Sequence, residues 1–110
     1  MRKLVTALTL VALTMASTPT VASASVKKGQ KIFKKKMRKY CGFSGVRFAR
    51  THSQSEWEEI WYYDGQEAFM EEAKRICPKL PLKRIKKSWW KHVYDFTYEY
   101  GTGGSHVPKC

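Results

Sequence analysis

The sequence predicts an all-α domain, on three observations. Four stretches place apolar residues at helical spacing, each stops at a glycine or just before a proline, and no stretch of useful length alternates apolar and polar residues as a half-buried strand does.

Ahead of these stretches the chain opens Met1-Arg2-Lys3, continues through the apolar run Leu4 to Leu13 and reaches Ala22-Ser23-Ala24. A basic start, a short apolar core and a small-residue site are the layout of a secretory signal peptide, here with cleavage expected after Ala24. The apolar run is too short for a membrane span, and the stretch from Thr14 to Thr20 dilutes it further. No cysteine follows the cleavage point, so a lipid anchor is not indicated. The mature chain is expected to be Ser25 to Cys110, one domain of 86 residues, periplasmic or secreted and without a transmembrane segment.

The first helix is predicted from Lys27 to Tyr40. Phe33, Met37 and Tyr40 fall at i, i+4 and i+7 with Ile32 beside them, while the opposite face is almost solid lysine and arginine. Gly42 ends it, because glycine takes the left-handed conformation of a helix C-terminus. Gly42 to Arg50 is expected as a loop contributing Phe43, Val46 and Phe48 to packing. The second helix starts at Ser53, where Ser53-Gln54-Ser55-Glu56 forms a capping box. Trp57, Ile60 and Trp61 make its stripe, and Asp64-Gly65 closes it.

Asp64 and Glu67 suggest a second cap, opening a third helix with Phe69, Met70, Ala73, Ile76 and Cys77 on its buried side. Pro78 stops this helix, since the residue before a proline is pushed out of the helical region. Leu80 to Lys87 is a basic connection with room for one helical turn. The fourth helix starts near Ser88, with Trp89, Val93, Phe96 and Tyr100 as its stripe and Gly101 as its end. Thr102 to Cys110 is a tail.

A domain of this size has a marginal core and often needs a staple. Cys41, Cys77 and Cys110 supply one in an oxidising compartment. A disulfide through Cys41 is expected, with Cys77 favoured and Cys110 left open as the alternative.

Charge is distributed in blocks. Removing Arg2 and Lys3 with the leader leaves 19 basic and 9 acidic residues, a net +10. Ser25 to Arg50 holds ten basic residues and no acidic one, Thr51 to Pro78 holds seven acidic and two basic, and Lys79 to Lys91 holds six basic and none acidic. Such blocks are solvated faces that also steer the molecule toward an acidic periplasmic protein or an anionic membrane surface. Lysine-rich helices also suit nucleic acid, but export argues against that partner.

Gly29 followed four residues later by Phe33, and then by the positions Met37, Tyr40 and Cys41, resembles the first helix of small single-haem cytochromes c. In that family a glycine and an aromatic precede a Cys-x-x-Cys-His haem-attachment motif. Aligned on this chain, the two haem-bonding cysteines fall on Met37 and Tyr40, and the iron-ligating histidine falls on Cys41. The scaffold positions match and each chemical position is substituted. The resemblance implies a small four-helix orthogonal, cytochrome c-like domain in which the last helix crosses the first, Gly29 and Phe33 meeting Phe96 and Tyr100. It further implies a protein related to electron carriers, without covalent haem, acting as a docking or accessory module. Non-covalent haem held by Cys41, His52 or His92 with Met70 stays open.

Other chemistry is weaker. Cys41-Gly42-Phe43-Ser44 is also the active-site tetrapeptide of monothiol glutaredoxins. There the cysteine opens a helix, whose dipole favours thiolate; here it closes one, and the strands and Thr-Val-Pro turn of that family are missing. Thiol-redox activity at Cys41 is therefore an alternative function. A second is an exported cationic protein of toxin or antimicrobial type, binding anionic surfaces through Lys27 to Arg50. His52, His92 and His106 lack metal-ligand spacing, so no metal site is expected. Glu58-Glu59 and Glu71-Glu72 are adjacent pairs that cannot share a helix face and are expected on the outer sides of their helices. No catalytic residue is assigned, and no Ser-His-Asp constellation, phosphate loop or repeat is visible.

Overall fold

The structure, a computed structural model, describes residues 21–103. The apolar core of the expected leader lies outside these residues, as do His106 and Cys110.

Helix α1 occupies residues 21–41, and so continues through Ala24, the expected cleavage point. It consists of Val21–Ile32, a wide π-helical turn Phe33–Met37 and a final turn Arg38–Cys41. Ile32, Phe33 and Met37 are buried, as the periodicity requires. The wide turn shifts the register of the residues beyond it. Phe33 and Cys41 are eight positions apart, which in an unbroken α-helix leaves them about 80° out of line. A π turn absorbs roughly one residue and brings Cys41 back under Phe33. Gly42, at φ 78°, then closes the helix by donating its amide to the Arg38 carbonyl at 2.8 Å.

The expected loop after Gly42 contains a helix, α2, Gly45–Ala49. Ser44 caps it, its hydroxyl accepting the Arg47 amide at 3.2 Å, a local signal that apolar periodicity does not register. Its short length still buries Phe48 and Ala49. Helix α3, residues 54–64, starts at the capping box as expected. The Ser53 hydroxyl accepts the Glu56 amide at 3.1 Å, and the Glu56 carboxylate accepts the Ser53 amide at 2.9 Å. Its second half, Ile60–Asp64, is another π turn.

Helix α4, Gln66–Ile76, lacks the expected Asp64–Glu67 cap. The chain enters it through Gly65 at φ 102°, with no side-chain cap bond. Phe69, Ala73 and Cys77 are buried along it, with Met70 and Ile76 packed partly buried against the core. After Pro78 come two 3-10 turns, Leu82–Arg84 and Lys87–Trp89.

The second of these turns leads directly into α5, Trp90–Tyr100, so Ser88 is not its cap. The buried stripe is consequently Trp90, Val93, Tyr94, Phe96 and Thr97, and Trp89 is left half-exposed. Tyr100 packs against the core from a partly buried position.

Among the described residues the fold is thus all-α, with five helices rather than four. Each of the other helices packs against α5, which forms the centre of the domain. A β-bridge, Ser53 to Thr102, fastens the end of α5 to the start of α3 through Gln54 N–H to Thr102 O at 3.0 Å and Thr102 N–H to His52 O at 3.1 Å.

The crossing of α1 with α5 is set by Gly29. A Cβ there would lie 1.9 Å from the His92 carbonyl oxygen and 2.9 Å from the Phe96 Cβ, so only glycine permits this approach of backbones. Next to it the rings of Phe33 and Phe96 are 6.3 Å apart, and those of Phe96 and Tyr100 are 5.3 Å apart.

Candidate functional site

The residues at the haem-attachment positions of the cytochrome c resemblance have other work. Met37 is fully buried in the core. Tyr40 is half-buried, its hydroxyl accepting Arg84 Nη1–H at a long 3.4 Å. Cys41 is bonded to Cys77, with 4.8 Å between Cα atoms. Covalent haem needs two free thiols and a histidine from one helical turn, and this trio of side chains does not fit it. The candidates for axial ligation are also engaged. His52 Nε2 lies 2.5 Å from Glu72, His92 Nδ1 lies 2.8 Å from Ser25, and Met70 packs on the core. Among the described residues no group of three or more His, Cys, Asp or Glu side chains is arranged to hold a metal ion.

The disulfide bears directly on thiol chemistry at Cys41. Cys41 is half-exposed at the end of α1, while Cys77 is buried among apolar side chains. An incoming thiolate would have to attack Cys41 and expel the Cys77 thiolate into the core, where desolvation disfavours the charged leaving group. The arrangement is that of a staple between the ends of α1 and α4.

Two polar clusters come together only in three dimensions. The Ser25 hydroxyl contacts His92 Nδ1 at 2.8 Å and the Asp95 carboxylate at 2.5 Å, and Asp95 also takes the Lys91 ammonium at 2.7 Å. A hydroxyl has one proton, so donation to Asp95 leaves Ser25 accepting from the imidazole N–H. In a nucleophilic triad the carboxylate orients the far ring nitrogen of the histidine; here it takes the hydroxyl itself. The cluster clips the start of α1 to α5. His92 and Asp95 are i, i+3 neighbours and legible as a pair, but Ser25 is 67 positions away from His92.

In the second cluster Glu72 joins His52 to Arg75, whose guanidinium donates two hydrogen bonds to its carboxylate. Glu72 is therefore partly buried against His52, correcting the fully outward placement expected for it, whereas Glu58, Glu59 and Glu71 are exposed. The Arg75 hydrogen bond holds the Glu72 carboxyl below its ordinary range, with a smaller contribution from His52. His52 stands edge-on to Trp57, with 4.7 Å between ring centroids.

The outer face of α1 has a different character. Lys28, Lys31, Lys35 and Lys36 stand around a groove of about 420 Å³ whose apolar floor is Ile32 and Trp89. The Lys36 and Lys86 ammoniums lie 6.0 and 5.2 Å from the Trp89 ring centroid. The two basic blocks of the sequence therefore converge at this indole. Among the described residues, no carboxylate makes an ion pair with Lys28, Lys31, Lys35 or Lys36. The acidic block forms α3 and α4 and carries the exposed rings of Tyr62 and Tyr63. No described helix is long and apolar enough to cross a membrane.

The chain matches no protein-family model, and neither the curated proteins nor the solved structures contain a significant match to it.

Proposed function

We propose that the chain is an exported, cytochrome c-like helical module that carries no covalent haem and docks to an acidic partner protein as an accessory of electron-transfer machinery. The observation that carries this reading is the approach of α1 to α5 at Gly29, with Phe33 beside Phe96. It is the contact that the resemblance requires of the first and last helices. The substituted attachment positions support the absence of covalent haem, since Met37 fills core space and the Cys41 sulfur is spent on Cys77. The basic face of α1, without internal carboxylate partners among the described residues, supports a docking role directed at negative charge.

The test is the visible absorption spectrum of protein purified from its native source. The expected spectrum has no Soret band that survives acid-acetone extraction, and such a band would overturn the haem-free assignment. Docking is checked by capture of partners on the immobilised chain, with release expected as salt rises through the range in which exposed charges are screened.

A further inference from the structure

We propose that the groove around Trp89 is the anchor point of this docking surface, and that it receives an acidic segment bearing one large apolar side chain. This inference rests on the docking reading above and adds to it a site and a ligand chemistry. The apolar group sits on Ile32 and Trp89, and flanking carboxylates pair with Lys28, Lys31, Lys35 and Lys36.

Three features of the groove select that ligand. Its lysines come from successive turns of α1 and crowd like charge around a low-polarity floor without an opposing carboxylate among the described residues. An anion relieves that repulsion, so negative charge is the first requirement. The floor adds the second requirement. A purely ionic ligand leaves the Trp89 ring facing water, whereas an apolar side chain covers it and excludes water from the surrounding ion pairs, the arrangement of an interface hot spot. Shape is the third. Trp89 is half-exposed at the floor of a recess and Ile32 is 6% exposed, so neither projects as a bilayer-inserting anchor would. A flat anionic surface reaches the rim lysines but not the floor.

The recess itself results from the irregular start of α5. The 3-10 turn Lys87–Trp89 places Trp90 in the core and leaves Trp89 facing α1. Lys36 and Lys86 then bracket the ring.

The experiment titrates the full, disulfide-bonded chain with a short glutamate-rich peptide containing one central phenylalanine. The same peptide with glycine in place of the phenylalanine, and phosphatidylglycerol vesicles, serve as comparisons. Binding is followed by calorimetry in parallel with Trp89→Ala and with the double variant Lys31→Glu/Lys35→Glu, each checked for unchanged far-ultraviolet circular dichroism. The phenylalanine peptide is expected to bind about tenfold or more tightly than the glycine peptide. Trp89→Ala is expected to erase that difference, and the charge reversal to weaken both peptides. Equal binding of the two peptides, unaffected by Trp89→Ala but weakened by the charge reversal, overturns the groove and leaves the docking reading intact. Binding to vesicles with no binding to either peptide overturns both.

Discussion

Two tryptophans with equal burial and different hydrogen bonding separate packing from polar satisfaction at the scale of single residues. Trp57 and Trp90 are both fully buried. The Trp57 indole donates to the Ala49 carbonyl at 2.7 Å, whereas Trp90 Nε1 has no hydrogen-bond partner among the described residues. Replacing each by phenylalanine removes the same atoms, but only the change at Trp57 strands a buried carbonyl. Trp57→Phe is therefore expected to cost about 1–3 kcal/mol more than Trp90→Phe in urea denaturation. A partly buried carboxylate makes the second prediction at this scale. The folded-state pKa of Glu72 is lowered, first by its bond to Arg75. A group of that sign adds stability above its unfolded pKa, near the ordinary value of 4.5, and loses it as pH falls through the folded value. The intact chain is expected to lose stability more steeply than Glu72→Gln when denaturation midpoints are followed from about pH 5 downward.

At the scale of elements, each helix boundary is decided by a local device or its absence. Ser44 and Ser53 cap α2 and α3 through their hydroxyls. Gly42 closes α1 through its left-handed backbone. The two π turns alter which residues share a face, and that of α1 directs Cys41 toward Cys77. The crossing of α1 and α5 is the element-level contact with least tolerance. At 1.9 Å from the His92 oxygen, a methyl group at position 29 obliges the two backbones to separate, because the obstructing atom is itself backbone. Gly29→Ala is expected to destabilise the chain by about 1–3 kcal/mol or more, measured as a lower urea midpoint. If the midpoint does not move, the close crossing is absent in solution.

For the whole molecule, a small domain is held by aromatic packing and by the disulfide between Cys41 and Cys77. Phe33, Phe48, Trp57 and Phe69 form a continuous run of ring contacts through the core, with centroid separations of 5.2, 5.9 and 5.3 Å. The disulfide joins positions 36 residues apart, linking the basic first helix to the end of the acidic block. Closing a loop of that length restricts the unfolded chain by about 4 kcal/mol. The double variant Cys41→Ala/Cys77→Ala is expected to lower Tm by roughly 15–30 °C, or to prevent folding at physiological temperature. Thermal melts of the oxidised chain and the double variant check this. The basic residues of the first block lie on α1 and α2 and the acidic block on α3 and α4, so unlike charges are carried by different helices.

By itself the sequence determined the all-α class, most of the buried helical stripes, the capping box at Ser53 and the stops at Gly42 and Pro78. These depend on the types and spacing of residues one to four positions apart, which are set by the chain itself and need no knowledge of tertiary contacts. Only the tertiary structure decided that Cys77 is the partner of Cys41 and that Ser25 meets His92 and Asp95. It also placed Glu72 against His52 and set Trp90, rather than Trp89, in the core. The register at the tryptophans depends on a 3-10 turn and on space left by α1, neither of which alters the apolar pattern of the segment. The groove was invisible for the same reason: its charges and its aromatic floor come from blocks about fifty positions apart, and only the packing of α1 against α5 brings them face to face.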